Sequence, residues 1–237
     1  MARLFESRFH RWYQPGGIGS GKGADVEYTE EFRGWLEAFM DEHKIKTVLD
    51  YGCGDFKWAR YVQWGDRQYL GVDIVPAAIE VPERKKLATD SIRFQLIEDP
   101  DAWQPEGKYD LVLCKDVLQH VPLVEATDIA RKLLAAGDHV LFIGDRPHVR
   151  SPGNAEVERG GYRGLDMSKS PFALGGEEPF VFERSRAFPE HKVVFWARGG
   201  PEGTKVMDPP ESKGVRSIRG RGGNSGAPSR HGMGRPS

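Results

Sequence analysis

Apolar and polar positions along the chain follow two alternating patterns. Short runs rich in Val, Leu, Ile and Phe, typical of buried strands, are separated by stretches whose apolar residues recur every three to four positions, typical of helices. Five of the short runs predict strands, at 46–51, 68–73, 92–97, 109–114 and 139–144. Strands that alternate with helices predict an α/β fold with a mostly parallel sheet.

One helix is predicted in detail ahead of the first strand. Thr29 can cap it, and the residues that follow show the helical spacing i, i+3, i+4, i+7, i+8. The apolar positions are Phe32, Trp35, Leu36, Phe39 and Met40. This stripe is expected to pack on the sheet.

Two further runs rich in Phe and Val, 180–183 and 192–196, come after a long irregular segment. Their position and composition predict an antiparallel pair of strands at the edge of the sheet, which brings the number of strands to seven.

The composition is that of one globular unit. The chain has 237 residues, 38% of them hydrophobic, which is enough for the core of one α/β domain. It contains no apolar run of about eighteen residues, and residues 1–8 lack the apolar stretch of a secretory signal, so we expect a cytoplasmic protein with no membrane partner. Cys53 and Cys114 fall in the expected core, which favours buried free thiols over a disulfide or a zinc site.

The charge is unevenly distributed. Residues 199–237 carry seven Lys or Arg and three acids, a net +4, which leaves −5 for residues 1–198 because the whole chain is −1. An acidic folded part does not favour binding to a phosphate backbone. The tail, rich in Gly, Arg and Pro, is predicted to be disordered. Its segment 219–223 resembles an RGG element, so a weak nucleic-acid contact through the tail stays open beside a purely solvated tail.

A glycine-rich turn follows the first strand directly. Gly52 and Gly54 allow the backbone to turn tightly and to approach a ligand closely. The second strand ends in Asp73, nineteen positions after Gly54, where its carboxylate can accept hydrogen bonds from both hydroxyls of a ribose. Strand, glycines and acid together predict a site for a nucleoside-containing cofactor.

The residues after the glycines discriminate between cofactors. A dinucleotide site needs a third small residue three positions after Gly54, but Lys57 stands there. S-adenosyl-L-methionine (SAM) has no phosphate, and Asp50 can take its amino group directly or through water. The loop therefore favours SAM. Residues 16–22 nearly spell a phosphate-binding P-loop, but Gly23 occupies the position that needs Ser or Thr, which argues against an NTPase.

The segment Val48–Asp55 resembles motif I of the class I SAM-dependent methyltransferases. The similarity extends to 17–21, 115–120 and 160–166, which resemble segments of a bacterial and viral subgroup. It implies a Rossmann-like α/β fold, a seven-stranded mostly parallel sheet with helices on both faces. It also implies three regions: an N-terminal segment with a Gly-rich cofactor lid at 1–28, the methyltransferase domain at 29–198 and the tail at 199–237.

The resemblance also implies that an acid after the third strand, Glu98 or Asp99, accepts from the adenine amine; the alternative is a solvated acidic turn before Pro100. The lid is expected to fold over the cofactor, although an ordinary flexible loop is the alternative. The expected cofactor contacts are Gly19, Gly21, Asp50, Tyr51, Gly52, Cys53, Gly54, Asp73, Ile74, Glu98, Asp99 and Lys115.

The turn after the fourth strand, 115–120, is where a ligand should meet the carboxyl ends of the strands. Methyl transfer from a sulfonium depends mainly on orientation, and an alcohol acceptor also needs a base. His120 is the candidate base, and Asp116, four residues earlier, could orient or charge-stabilise its ring if the turn is helical. The alternative is a His120 that only caps the helix before Pro122.

The acceptor is expected to be a small molecule or a sugar. No Asn/Asp-Pro-Pro-Tyr/Phe sequence follows this strand, which by family analogy favours methylation of oxygen. In the insert after the fifth strand, Tyr162 could stack on a ring, and Arg163 could bind an acidic group or pair with Asp166; all three are predicted substrate contacts. A metal site is not predicted, although Asp145 and His148 leave a metal-assisted variant conceivable.

Three functions remain open. The favoured one is O-methylation of a small molecule or glycan. The others are an RNA or protein methyltransferase recruited through the tail, and a catalytically silent SAM-binding module. The sequence does not determine the oligomeric state.

Overall fold

The computed structural model describes residues 13, 19–84, 86–147, 154–185 and 188–200. His148 and the part of the predicted tail beyond residue 200 lie outside these described residues.

Seven strands form one sheet, as predicted. The strands are β1 Thr47–Tyr51, β2 Gln68–Asp73, β3 Ile92–Leu96, β4 Tyr109–Lys115, β5 Gly137–Asp145, β6 Gly176–Ser185 and β7 Phe188–Arg198. Their order is β3-β2-β1-β4-β5-β7-β6. The first five strands are parallel, and β7 runs antiparallel to both β5 and β6. The last pair is longer than predicted because pairing through the backbone does not require apolar side chains.

Helices cover both faces of the sheet. They are α1 Glu30–Glu42, α2 Pro76–Arg84 and α3 Leu123–Ala136, with short 3-10 turns at Lys22–Ala24, Ala59–Tyr61 and Leu118–His120. Because neighbouring side chains of a strand point to opposite faces, Leu111 and Val112 of β4 belong to different cores. One core joins α1 to the sheet through Phe32, Leu36, Met40, Val48, Leu111 and Leu141. The other joins α3 to it through Leu133, Leu134, Val112, Val140 and Phe142.

Helix α1 confirms the predicted apolar stripe but not its cap. Phe32, Leu36 and Met40 are fully buried. Thr29 makes no capping hydrogen bond; its hydroxyl donates instead to the carbonyls of Asp25 and Val26. The predicted cap is wrong because the turn before the helix offers these carbonyls to the hydroxyl.

Cys53 and Cys114 are both buried free thiols, as predicted. Among the described residues, every helix is too short or too polar to span a lipid bilayer.

Candidate functional site

A cavity of about 320 Å³ opens at the carboxyl ends of β1, β2 and β4. In the strand order, β1 and β4 are the neighbours from which the chain winds in opposite directions, the place where open α/β sheets bind ligands. The volume suits a small organic ligand. Of the predicted site residues, those that line the cavity are Tyr51, Gly52, Cys53, Gly54, Asp73, Ile74, Lys115, Asp116 and His120.

The glycine-rich turn lies tightly between the end of β2 and Val117. The amides of Gly52 and Cys53 both donate to the carbonyl of Val72, at 2.8 and 3.1 Å, which fixes the turn to β2. Gly52 has a φ of 77° and Gly54 a φ of 59°, the left-handed region that favours glycine. A Cβ on Gly52 would lie 2.2 Å from Cγ2 of Val117.

Substitution of Gly52 by Ala is expected to lower the free energy of unfolding more than the same change at Gly107. Gly107 has a similar φ of 84°, but a Cβ there would meet nothing within 4 Å. Both changes cost roughly 1–2 kcal/mol for the left-handed backbone. At Gly52, overpacking against the stiff Val117 adds about 1–3 kcal/mol. Urea unfolding of the two variants measures the difference, and equal losses would show that Val117 does not constrain this turn.

Asp73 presents a carboxylate to the cavity from the end of β2. One oxygen accepts from the amide of Gly54 at 2.9 Å, and the other accepts from the amide of Val75 at 2.9 Å. Burial raises the pKa of Asp73 to about 6, and the two amides partly offset this effect. Each oxygen can accept a further hydrogen bond, so the carboxylate can hold two hydroxyls of one ligand.

Asp50 lies beneath the turn and does not line the cavity. It is 1% exposed, and the hydroxyl of Tyr69 donates to its Oδ2 at 2.7 Å. Its Oδ1 has no hydrogen-bond partner among the described residues. Burial raises the pKa of Asp50 to about 7, against the lowering effects of Tyr69 and Lys115. The water-mediated form of its predicted contact is the one that its position allows.

Of the predicted lid, residues 1–12 and 14–18 lie outside the described residues, and Tyr13 and Ser20 lie beside the glycine-rich turn. Ser20 donates to Oδ1 of Asp55 at 2.6 Å and accepts from the Asp55 amide at 3.0 Å, while the hydroxyls of Tyr13 and Ser20 lie 3.1 Å apart. Tyr13, Ser20 and Ala24 line the cavity, whereas Gly19 and Gly21 do not. Their positive φ values of 56° and 74° shape the turn that presents Ser20.

A buried network of charges follows β4. Asp116 accepts from Lys115 at 2.5 Å and also from Lys192, which lies on β7. Burial acts to raise the pKa of Asp116, but the two ammonium groups outweigh it and hold that pKa well below its usual range.

The network continues to Asp145 and to the N-terminal side of the site. Lys192 also lies 3.2 Å from Oδ1 of Asp145, and the hydroxyl of Tyr162 donates to the other Asp145 oxygen at 2.8 Å. Lys115 donates to the carbonyl of Gly23 at 2.8 Å, which ties the turn Lys22–Ala24 to the network.

His120 ends the 3-10 turn after β4, and its ring is oriented by the backbone. Its Nδ1 lies 2.8 Å from the carbonyl of Gly161. A carbonyl only accepts, so Nδ1 carries the proton and Nε2 carries the lone pair, which faces the side-chain amide of Gln119 at 3.4 Å. Burial lowers the pKa of His120, which keeps the ring neutral near pH 7.

Asp116 has a different role from the orienting one considered for a helical turn. Its φ is 60° and the 3-10 turn begins only at Leu118, so Asp116 and His120 do not share a helical face. The carbonyl of Gly161 orients the ring, whereas Asp116 binds the two lysines and its charge acts to raise the pKa of His120 against the effect of burial.

Of the acids that follow β3, the one that lines the cavity is Asp101, which the sequence did not single out. Asp101 and Ile97 line the cavity, whereas Glu98 and Asp99 do not. Asp99 accepts from the amides of Asp101 and Ala102 at 3.1 and 3.2 Å, so it stabilises the turn that places Asp101.

The three predicted substrate contacts lie outside the cavity lining. The Tyr162 ring lies 6.0 Å from that of His120. Arg163 donates to the carbonyl of Leu118 at 3.0 Å, and Asp166 is paired with Lys169 at 2.9 Å, so Arg163 does not brace the loop through Asp166. The described part of the chain contains no group of three or more His, Cys, Asp or Glu that could hold a metal ion.

Comparison with known proteins gives a family match. A family model described as a methyltransferase domain matches residues 25–155, more than half of the chain. A ubiquinone biosynthesis O-methyltransferase from Alkalilimnicola ehrlichii is 26% identical over 149 residues, which cover 58% of this chain and 56% of the relative. Another, from Acinetobacter baylyi, is 30% identical over 116 residues, covering 46% and 47%. The chain thus spans about half the length of the curated relatives that it matches.

Solved structures share the fold. An N-methyltransferase from Bradyrhizobium japonicum with bound S-adenosyl-L-homocysteine has a TM-score of 0.60 at 17% identity, covering 82% of this chain and 98% of the other. Magnesium protoporphyrin IX methyltransferase from Synechocystis, with the same ligand, has a TM-score of 0.55 at 18% identity, covering 82% and 94%.

Proposed function

Because the chain belongs to the family of methyltransferase domains, we propose that it transfers a methyl group from SAM to an oxygen atom of a small molecule or a glycan. The observation that carries this proposal is the position of His120. Its ring lines the same cavity as the glycine-rich turn and Asp73, with the proton on Nδ1 held by the Gly161 carbonyl.

The residues of the cavity fit SAM. The carboxylate of Asp73 offers an acceptor site on each oxygen for the ribose hydroxyls, and the Gly52–Gly54 backbone admits close approach. Asp101 is proposed to accept from the adenine amine in place of Glu98 or Asp99, since it lines the cavity. Asp50 is proposed to reach the amino group through water.

We propose a separate role in the reaction for each of these described residues. When bound, SAM supplies a methyl group already activated by a positively charged sulfur. The glycine-rich turn and Asp73 orient the donor, which is where most of the acceleration arises. His120 accepts the proton of the acceptor hydroxyl on Nε2, where the hydroxyl replaces the long 3.4 Å contact with the Gln119 amide. The buried pairs of Asp116 with Lys115 and Lys192 fix the start of the turn that carries His120.

An oxygen acceptor fits this base better than an amine does. A neutral hydroxyl is a weak nucleophile and needs a base to take its proton as the new bond forms, whereas a neutral amine attacks without a base and can lose its proton afterwards. Burial lowers the pKa of His120, so the ring is in its proton-accepting form near neutral pH. The names of the curated relatives in Alkalilimnicola ehrlichii and Acinetobacter baylyi support an oxygen acceptor. Tyr162, half exposed beside the His120 ring, is retained as a proposed acceptor contact.

A transfer assay with SAM labelled in its methyl group tests the proposed acceptor atom. The panel pairs hydroxyl compounds, namely phenols, catechols and simple sugars, with amines of the same carbon skeleton. We expect label to appear on hydroxyl compounds and not on the matched amines. Transfer to the amines alone would contradict O-methylation while leaving the methyltransferase assignment intact.

A further inference from the structure

The carbonyls of the turn that carries His120 need partners from elsewhere in the chain. A helical turn leaves its last carbonyls without intrahelical partners. The turn Leu118–His120 is followed at once by Val121 and Pro122, and proline has no N–H to donate. The first amide of the next helix, that of Leu123, donates to Oε1 of Glu156 at 3.0 Å and not to these carbonyls.

The segment 160–163 supplies the missing donors. The amide of Gly160 donates to the carbonyl of His120 at 2.7 Å, and the amide of Arg163 donates to the carbonyl of Gln119 at 3.1 Å. The Arg163 side chain completes the series by donating through Nη2 to the carbonyl of Leu118 at 3.0 Å. All three carbonyls of the turn are thus bound by this one segment.

The same segment also fixes the imidazole. The carbonyl of Gly161 accepts from Nδ1 of His120 at 2.8 Å. Backbone and ring of His120 are therefore held by adjacent residues, and any displacement of this segment moves both together.

The buried Arg163 side chain lowers the stability of the protein, so we expect its presence to reflect a geometric role. Its side chain is 5% exposed, and Nε and Nη1 have no hydrogen-bond partner among the described residues. A buried cation with a single carbonyl acceptor costs stability relative to an apolar side chain of similar length. The guanidinium does, however, bridge the insert to the start of the turn with a rigid, planar donor.

We infer that Arg163 is a positioning residue that sets the tautomer and orientation of His120 by holding the segment 160–163 against the turn Leu118–His120. Arg163 does not line the cavity, so it acts on the reaction through His120 and not through contact with the acceptor. This inference rests on the proposed role of His120, but it concerns the geometry of the ring and can be tested without an acceptor.

Nitrogen-15 NMR of the histidine rings in the full chain is the test. The spectrum of a His120→Gln variant assigns the His120 signals. In the wild type we expect one neutral tautomer with the proton on Nδ1. A proton on Nε2 would overturn the inference at once, because the Gly161 contact would then not exist, and this result needs no variant of Arg163.

Substitution of Arg163 is the second part of the NMR test. In Arg163→Met, which keeps the length without the donor, we expect a mixture of tautomers at His120. In Arg163→Lys, which keeps one donor and the charge, we expect the wild-type tautomer to be largely retained. The matched control is Arg146→Met, because Arg146 lies in the same insert with a half-exposed side chain paired to Glu178. An unchanged His120 tautomer in Arg163→Met would overturn the inference.

Calorimetry with SAM separates this inference from the proposed function. Arg163→Met should still bind SAM, since Arg163 does not line the cavity. A tautomer shift in Arg163→Met together with methyl transfer that is insensitive to His120→Gln would uphold the positioning role and refute the base. An unchanged tautomer in Arg163→Met together with methyl transfer that His120→Gln abolishes would refute the positioning role and leave the base in place.

Discussion

Substitution of His120 by Gln is expected to lower kcat by about two to four orders of magnitude, the usual contribution of a positioned base. Gln has a similar size and can still donate to the Gly161 carbonyl, but it cannot accept the proton of an acceptor hydroxyl. The affinity for SAM should be nearly unchanged, because Asp73 and the glycine-rich turn remain in place. The measurement is steady-state kinetics with an acceptor that the wild type methylates.

The pH profile gives the same prediction a second readout. The base acts only when neutral, so kcat should fall as the pH drops through the pKa of His120. Burial lowers that pKa, which places the acidic limb below the ordinary value of about 6.5. The limb should be absent from the residual activity of His120→Gln. A matched control is His43→Gln, since His43 follows α1 and does not line the cavity. Full activity in His120→Gln would remove the base from the mechanism.

Substitution of Asp73 by Asn is expected to weaken SAM binding by about 100-fold, because hydrogen bonds to a charged acceptor contribute about 1.5–3 kcal/mol each. Asn keeps the size of Asp73 but loses the charge and one of the two acceptor oxygens that the ribose needs. Calorimetric titration of both proteins with SAM measures the change. The matched control is Asp66→Asn, because Asp66 lies on the surface in an exposed pair with Lys46. Equal affinities of Asp73→Asn and the wild type would place the ribose elsewhere.

The wild type should show a related dependence on pH. The pKa of Asp73 is raised to about 6, so its carboxylate becomes protonated as the pH falls through that value. A protonated carboxyl is a weaker acceptor for hydroxyls, and the affinity for SAM should decrease in the same range. Asp73→Asn should lack this step.

The strands and the glycine-rich turn could be predicted because their signals are local. Buried parallel strands require continuous apolar runs, and a close approach requires glycine, so both features are visible within a few residues. The same reasoning identified Asp73, since the end of a strand is visible in sequence.

The contacts that depend on tertiary structure could not be predicted. Lys192 lies in an apolar run of β7 and meets Asp116 only because β7 inserts antiparallel beside β5. Ser20 reaches Asp55 across 35 residues. Neither of these two contacts produces a recognisable pattern in the spacing of residues along the sequence.

The acids that follow β3 and β4 show that the direction of a turn could not be predicted from residue spacing. Glu98, Asp99 and Asp101 are equally plausible from composition, and the direction of a turn decides which one lines the cavity. At Asp116, helical spacing suggested a shared face with His120, but the left-handed φ of Asp116 shows that these residues do not form one continuous helix. Spacing arguments hold only within a continuous element.

The most direct test of SAM as the cofactor is calorimetric titration of the full chain with SAM, run in parallel with NADH and ATP. We expect saturable binding of SAM at one site per chain, with NADH and ATP much weaker, because the cavity holds Asp73, the proposed acceptor for the ribose hydroxyls, whereas Lys57 occupies the position that a pyrophosphate site needs for a small residue. Absence of SAM binding, or tighter binding of NADH or ATP, would contradict it.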